Sequence, residues 1–349
     1  MPELPEVEAA RRLCEKHCKG ATIQKAVVAI DDKVIEGIES AALEKALQGQ
    51  KLTAAHRKGK HLWFELNHLA PCLLFHFGMT GSMRVEGVDS PQYQTFSVDE
   101  SQWPPRFWKV QLEFDSGVKL AFCDARRFAR VRLQADPLNN EPLNKLGFDP
   151  LLSMPSLEDL AAALKKQRRV IKALLLDQGF SAGVGNWVAD EVLYQARIHP
   201  EQPAATLAEQ QVEQLHHFMQ HVPQTAVDAG ADSAKMPADW LFHRKWDQRN
   251  TPKIDGHPIS FSKVGGRTTA FVPALQKLPA GQPSSAVPKA RKRKADDDGQ
   301  DDEPAGHKAA AKHGKASNTA AGKSPRAAEQ KPPAKKGKKR LTVAEKAEC

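Results

Sequence analysis

Pro2 and Glu3 are the residues of this chain whose types and spacing suit covalent chemistry, and they open the run Met1-Pro2-Glu3-Leu4-Pro5-Glu6-Val7-Glu8. A small residue in second place permits removal of the initiator methionine, which would leave the secondary amine of Pro2 at the N-terminus. An α-amino group titrates near pH 7.7 to 8.0, about two units or more below a lysine, so an appreciable fraction is neutral and nucleophilic at physiological pH. Such an amine can attack the anomeric C1′ of a nucleotide and form an iminium, while the neighbouring Glu3 could protonate the ring oxygen as the sugar opens. Taken alone, acids before a helix do no more than suit its dipole.

A second signal is Ser181-Ala-Gly-Val-Gly185-Asn186-Trp187-Val-Ala-Asp190-Glu191-Val192-Leu193. Two glycines permit a tight turn, and the backbone amides at the start of the following helix are placed to bind phosphate. Three shorter clusters carry charge or flexibility: Arg57-Lys58-Gly59-Lys60-His61, His76-Phe77-Gly78-Met79-Thr80-Gly81 and Asp124-Ala125-Arg126-Arg127-Phe128. Read as isolated patterns, these are a solvated strand edge, a core methionine after a glycine, and a surface turn beside a core aromatic.

The elements that must hold these residues in place follow from periodicity. Glu6 to Lys19 has helical spacing, with Val7, Ala10, Leu13 and Cys14 on one face. Short apolar runs come next, Ile23 to Ile30, His61 to Leu66, Cys72 to Phe77, Val110 to Phe114, Val118 to Cys123 and Ala129 to Leu133, divided by turns such as Asp115-Ser116-Gly117. They predict a mostly β first domain over residues 1–150, a sandwich or barrel. Ser156-Leu-Glu-Asp159 is a capping pattern that opens a helical domain over 151–240, with helices expected at Arg168 to Asp177, Asn186 to Ala196 and Thr206 to Ala229, the last bent near Pro223. Residues 241–279, with Gly256, Gly265 and Gly266 beside β-branched pairs, predict a β-hairpin. From 280 to 349 the chain has no aromatic residue and few large aliphatic ones, and it is expected to be a disordered Lys-rich tail.

Net charge is +9, but the tail holds 17 Lys+Arg against 9 Asp+Glu, leaving 34 against 33 for residues 1–279. Overall basicity therefore says little about the folded part, and a nucleic-acid partner must rest on particular residues. Five cysteines, Cys14, Cys18, Cys72, Cys123 and Cys349, form no framework, and no secretory leader is evident, so a reducing intracellular compartment is expected. No apolar run reaches the roughly 18 residues of a membrane span.

Together, PELPEVE at the N-terminus and GVGNWVADEVLYQARIHP resemble the formamidopyrimidine-DNA glycosylase family, and residues 2 to 278 follow that family's order of parts. The resemblance implies an α+β multidomain fold: an N-terminal β-sandwich with an N-terminal helix, a helix-two-turn-helix domain, a β-hairpin finger, and DNA in the cleft between. It implies a monomer acting on damaged double-stranded DNA, with base excision followed by β,δ-elimination through a Schiff base. Pro2, Glu3 and Lys60 match the family's catalytic set, Lys60 as the lysine that reaches the phosphate beside the damaged nucleotide. Met79 resembles the residue that fills the hole left by an extruded base. Arg126 and Phe128 resemble the pair that faces the estranged base and wedges the stack. Lys172, Asn186 and Arg267 resemble phosphate-binding residues. A base stacked in a duplex exposes neither C1′ nor its glycosidic bond, so the nucleotide must flip out at a cost of a few kcal/mol that wedges and phosphate contacts offset.

The chain departs from bacterial members at two places. Their finger closes on zinc through four cysteines, whereas this finger has none, and Val272 and Leu275 stand where the last pair would be. A tetrahedral site cannot be built from His257 alone, so a zincless finger without cofactor is expected, held by packing of Ile254, Ile259, Phe261, Val264, Phe271, Val272 and Leu275. The segment from Trp240 to Asn250 also differs from the longer loop that can cap a flipped base. Formamidopyrimidines are accordingly the safest substrates, with 8-oxoguanine second. Two other readings compete: a glycosylase for oxidised pyrimidines or hydantoins, a branch that typically has Gly where Leu4 stands, and a noncatalytic nucleic-acid-binding protein, against which Pro2 and Glu3 argue. Pro288-Lys-Ala-Arg-Lys-Arg-Lys294 and Lys335-Lys-Gly-Lys-Lys-Arg340 read as nuclear signals.

Overall fold

Short, mostly buried strands build the first half of the molecule. The computed structural model describes residues 2–67, 71–89, 102–246 and 252–279. Helix α1 (Leu4–Cys18) is followed by β1 (Ile23–Val28), α2 (Ser40–Leu47), β2 (Ala54–Lys58), β3 (His61–Glu65), β4 (Cys72–His76), β5 (Ser82–Val85), β6 (Trp108–Phe114), β7 (Lys119–Cys123) and β8 (Arg130–Gln134). Two four-stranded antiparallel sheets form, in the orders β1-β6-β7-β5 and β2-β3-β4-β8. Their inner faces meet over Leu62, Phe64, Phe75, Phe77, Phe122 and Val131, and α1 adds Val7, Ala10 and Cys14 to the same core. Each such side chain contributes about 1.5 to 3 kcal/mol on burial, so a sandwich closed by a helix is the natural sink for these runs.

All six apolar runs are strands. Two further strands and α2 carry weaker patterns. In β2, Ala55 and Arg57 point inward, and a buried arginine disguises the alternation. β5 is four residues long and buried throughout. α2 shows only Leu43 and Leu47 to the core, a single i,i+4 pair.

The helical domain holds α3 (Leu157–Lys165), α4 (Ile171–Leu175), α5 (Asn186–Gln195) and α6 (Glu209–Asp228). Ser156 caps α3, its hydroxyl accepting the Asp159 N–H at 3.1 Å. α4 is shorter than the expected Arg168 to Asp177 because its first amides pair elsewhere: Ile171 N–H donates to the Gln202 carbonyl and Lys172 N–H to that of Pro200. α6 starts after a 3-10 turn at Ala204–Thr206 and carries Pro223 inside it. Leu164, Leu174, Val188, Val192, Leu215 and Met219 form the second core.

The finger is two small hairpins, β9 (Lys253–Ile254) with β10 (His257–Pro258), and β11 (Ser260–Val264) with β12 (Arg267–Phe271). Their turns, Asp255-Gly256 and Gly265-Gly266, have positive φ at both central residues, the geometry that matches strand twist and favours glycine. Of the residues expected to pack it, Ile254, Ile259 and Val272 are buried with Tyr194 and Leu241, and Phe261 and Leu275 lie against them. Val264 is also buried, while Phe271 stays half-buried with its edge on the His199 ring. Among the described residues no helix is long and apolar enough to cross a membrane. The tail from 280 and the last four residues of the Trp240 to Asn250 departure, 247–250, lie outside the described residues.

Candidate active site

The two longest sequence signals meet in space. Glu3 is buried, and its carboxylate accepts the backbone N–H groups of Trp187 at 2.9 Å and Val188 at 3.0 Å, at the start of α5. These are the amides expected to bind phosphate; the structure gives them to Glu3 instead, because a carboxylate satisfies both the unpaired donors and the positive end of the helix. The Leu4 N–H donates to the Gly183 carbonyl at 3.0 Å, fastening the chain start to the same turn. Pro2 is buried beside Glu3. The glycines are required by this approach: a Cβ on Gly185 would sit 2.2 Å from the Glu3 carboxyl carbon, and one on Gly183, at φ +92°, 2.8 Å from the Leu4 Cβ.

Glu6, within the quoted motif but given no role there, completes the arrangement. It accepts from the Glu3 N–H at 2.9 Å and from the Trp187 indole at 3.0 Å. Burial, and then the charge of Glu3, push its carboxyl up to about 7. Lys60 reaches into this group, donating to the Val184 carbonyl at 3.3 Å. Burial holds its ammonium below the usual lysine range, Arg267 acts in the same direction, and Glu3 and Glu6 oppose both. Pro2, Glu3 and Lys60, drawn from the N-terminus and the β2-β3 turn, are thus brought to one place, and the charge of Arg267 on the finger acts on Lys60.

The β2-β3 turn is aimed by a buried ion pair that the sequence pattern conceals. Arg57, expected at a solvated edge, has its side chain 1 % exposed and pairs with Glu8 at 3.0 Å and with both oxygens of Asp149. Asp149 also accepts the Gly59 N–H at 2.8 Å, so one carboxylate fixes both the arginine and the turn that presents Lys60. Removing Asp149 leaves the buried Arg57 with Glu8 alone and strips the Gly59 N–H of its acceptor, so Asp149→Ala is expected to cost about 3 kcal/mol or more in chemical denaturation. A loss under about 1 kcal/mol would contradict this role.

Met79, Arg126 and Phe128 form a second group, on the loops after β4 and β7. Asp124 ties the loops together: its carboxylate accepts the Thr80 hydroxyl, the Arg126 N–H at 3.2 Å and the Ala129 N–H at 2.7 Å. Gly78 is pressed against the second loop, where a Cβ would lie 2.4 Å from the Phe128 carbonyl carbon. Met79 and Phe128 are half-buried and Arg126 is exposed, its guanidinium 5.3 Å from the Phe128 ring centroid. Arg127 turns away to pair with Asp31 at 2.9 Å.

Asn186 and Lys172 meet the finger. The Asn186 side chain donates to the Thr268 carbonyl at 2.9 Å. Lys172, expected to reach a phosphate, is placed otherwise: its side chain is 0 % exposed, paired with Asp190 and donating to the Thr269 hydroxyl at 2.6 Å. Burial pushes its ammonium down to about 8. Arg267 is exposed at the start of β12, beyond the Gly265-Gly266 turn. The finger does not fit a zinc ion, since Val272 at one family cysteine position is fully buried in the apolar cluster and Leu275 packs against it. Among the described residues no group of three or more His, Cys, Asp or Glu is arranged so that it could hold a metal ion.

The fold and site define a class: a β-sandwich and a helical domain that close on the chain's own second and third residues. Family models for the formamidopyrimidine-DNA glycosylase N-terminal domain and the formamidopyrimidine-DNA glycosylase H2TH domain match residues 1–131 and 146–238. The chain is 46% identical over 279 residues to a formamidopyrimidine-DNA glycosylase of Arabidopsis thaliana, covering 80% of this chain and 71% of that one. It is 33% identical over 291 residues to the formamidopyrimidine-DNA glycosylase of Enterococcus faecalis, covering 80% and 98%. A solved structure of the Lactococcus lactis formamidopyrimidine-DNA glycosylase, non-covalently bound to DNA containing an AP site, superposes with a TM-score of 0.65 at 29% identity, covering 79% of this chain and 99% of that one. This chain belongs to the formamidopyrimidine-DNA glycosylase family.

Proposed function

We propose that this protein is a bifunctional DNA glycosylase and abasic-site lyase of base excision repair, excising oxidised purines with formamidopyrimidines foremost. The observation that carries the reading is Glu3, buried beside Pro2 and held by two amides at the head of α5. The Pro2 amine attacks C1′ of the extruded nucleotide; the N–C1′ bond forms, the glycosidic bond breaks, and the base leaves with the proton that the attacking amine gives up. Glu3 protonates the ring oxygen as the sugar opens to the iminium, and β- then δ-elimination releases the two phosphates. Lys60 and Arg267 hold the phosphate beside the lesion, and Asn186 binds the backbone near it. Met79, Arg126 and Phe128 fill and wedge the gap left in the duplex.

The solved Lactococcus lactis relatives include complexes with N7-benzyl-Fapy-dG DNA and with oxidised pyrimidine containing DNA, so both lesion classes belong in the test. Duplexes carrying formamidopyrimidine-guanine, 8-oxoguanine, 5-hydroxycytosine or no lesion are incubated with enzyme and borohydride. A trapped covalent complex strongest with formamidopyrimidine supports the reading. Strongest trapping with 5-hydroxycytosine favours the pyrimidine alternative, and none with any lesion overturns the enzyme.

The finger's apolar packing and the absence of its cysteines support metal-free activity. Metal analysis is expected to find no stoichiometric zinc, and chelators to leave cleavage unchanged. Arg267→Ala is expected to weaken lesion-duplex binding about tenfold, the worth of one charge-assisted phosphate contact, with Tm preserved. Activity lost on chelation would refute the packing account, and wild-type affinity in the variant would refute the phosphate role. The basic runs at 288–294 and 335–340 support a nuclear location, which a reporter fused to residues 280–349 tests by entering the nucleus or failing to.

A further inference from the structure

Asp190 lies one helical turn along α5 from Asn186, on the same face, and is fully buried. Its two carboxylate oxygens each take one lysine: Oδ1 pairs with Lys172 of α4 and Oδ2 with Lys245, which follows the 3-10 turn Leu241–His243. Oδ2 also accepts the Ala270 N–H of β12 at 3.2 Å. Lys172 continues into the finger through the Thr269 hydroxyl at 2.6 Å, and Lys245 donates to the Asn186 carbonyl at 3.3 Å. One carboxylate therefore joins four segments remote in sequence, two of which carry the residues read above as phosphate ligands.

The geometry suits a lock on the finger's direction as well as on its attachment. Arg267 and Thr269 are two residues apart on β12, so their side chains leave the same face of the strand. Fixing Thr269 through Lys172 fixes the face from which Arg267 projects. The apolar cluster of Ile254, Ile259, Ala270 and Val272 contributes burial but no direction, because hydrophobic contact is not directional. Asp190, Glu3 and Glu191 all act on the two buried ammonium groups, so the positive charge this face offers an anion is that of Arg267. Phosphate is the anion that a duplex would bring there.

We propose that Asp190 is a positioning residue that locks the finger onto the helical domain through Lys172, Lys245 and β12, and thereby aims Arg267 at the backbone phosphate beside Asn186. This rests on the DNA-processing function proposed above.

The test measures equilibrium binding to a duplex with a tetrahydrofuran abasic analogue, single-turnover cleavage at saturating enzyme, and Tm. It compares Asp190→Asn, Arg267→Ala and the double variant. Asp190→Asn is expected to weaken binding about tenfold and to change saturating single-turnover cleavage less than about twofold. In the Arg267→Ala background it should add less than about twofold, because both changes remove the same phosphate contact. Thr269→Val, which removes one hydroxyl from the lock, should show the same pattern in milder form and carries the test if Asp190→Asn does not fold. Wild-type affinity in a folded Asp190 or Thr269 variant, or full additivity with Arg267→Ala, overturns the proposal. Failure of the wild-type protein to prefer the abasic duplex over an undamaged one overturns the functional reading instead.

Discussion

Pro2→Gly is expected to lower single-turnover base excision by about 10³-fold, a barrier increase of roughly 4 kcal/mol, and to remove most of the borohydride-trapped complex. The substitution keeps an N-terminal amine but makes it primary, and it deletes a ring that is buried beside Glu3. Both changes act on the nucleophile: the attacking nitrogen loses its secondary character, and without the ring its lone pair is no longer held in one orientation. Glu3→Gln supplies the contrast. Its amide can accept one of the two α5 N–H groups but presents a donor to the other, and it cannot protonate an opening sugar. Base excision should fall by about 10² to 10⁴, the usual range for a general acid, while cleavage of a preformed abasic site is partly retained because that substrate begins with its base already lost. Gel-resolved cleavage of lesion and abasic duplexes separates the two activities. Unchanged lesion cleavage by the Pro2 variant would remove the central claim.

Gly185→Ala is the second large effect, and it involves no residue that touches DNA in the proposed mechanism. The new methyl would lie 2.2 Å from the Glu3 carboxyl carbon, far inside contact distance. Glu3 cannot step aside without giving up the Trp187 and Val188 amides, and α5 cannot retreat because Val188, Ala189 and Val192 are buried in the helical core. The clash is therefore relieved by displacing the carboxyl group itself. A misplacement of about 1 Å at a reacting group costs on the order of 10²-fold in rate, and overpacking of this kind costs about 1 to 3 kcal/mol in stability. The expected result is kcat/KM reduced about 10²-fold on a formamidopyrimidine duplex with a Tm that still marks a folded protein. Wild-type kcat/KM would show that Glu3 does not need the position seen here.

The parts of this protein legible from sequence are those written in local pattern. Short apolar runs marked six of the eight sandwich strands, a Ser156 hydroxyl marked the start of α3, and Gly256, Gly265 and Gly266 marked turns whose positive φ only a few residues tolerate. The Pro2-to-Glu8 and Gly183-to-Leu193 motifs, long enough to identify a family, named the candidate site. Tertiary structure alone decided which partner each charged group takes. The amides of α5 hold Glu3, 184 residues away, instead of a phosphate. Lys172 turns inward to Asp190 and Thr269, and Arg57 leaves a seemingly solvated edge for Glu8 and Asp149. The reason is physical: periodicity records which face of an element is apolar, whereas a buried charge is tolerated only by an opposite charge that folding brings to it, and nothing in the local sequence of either residue specifies the other.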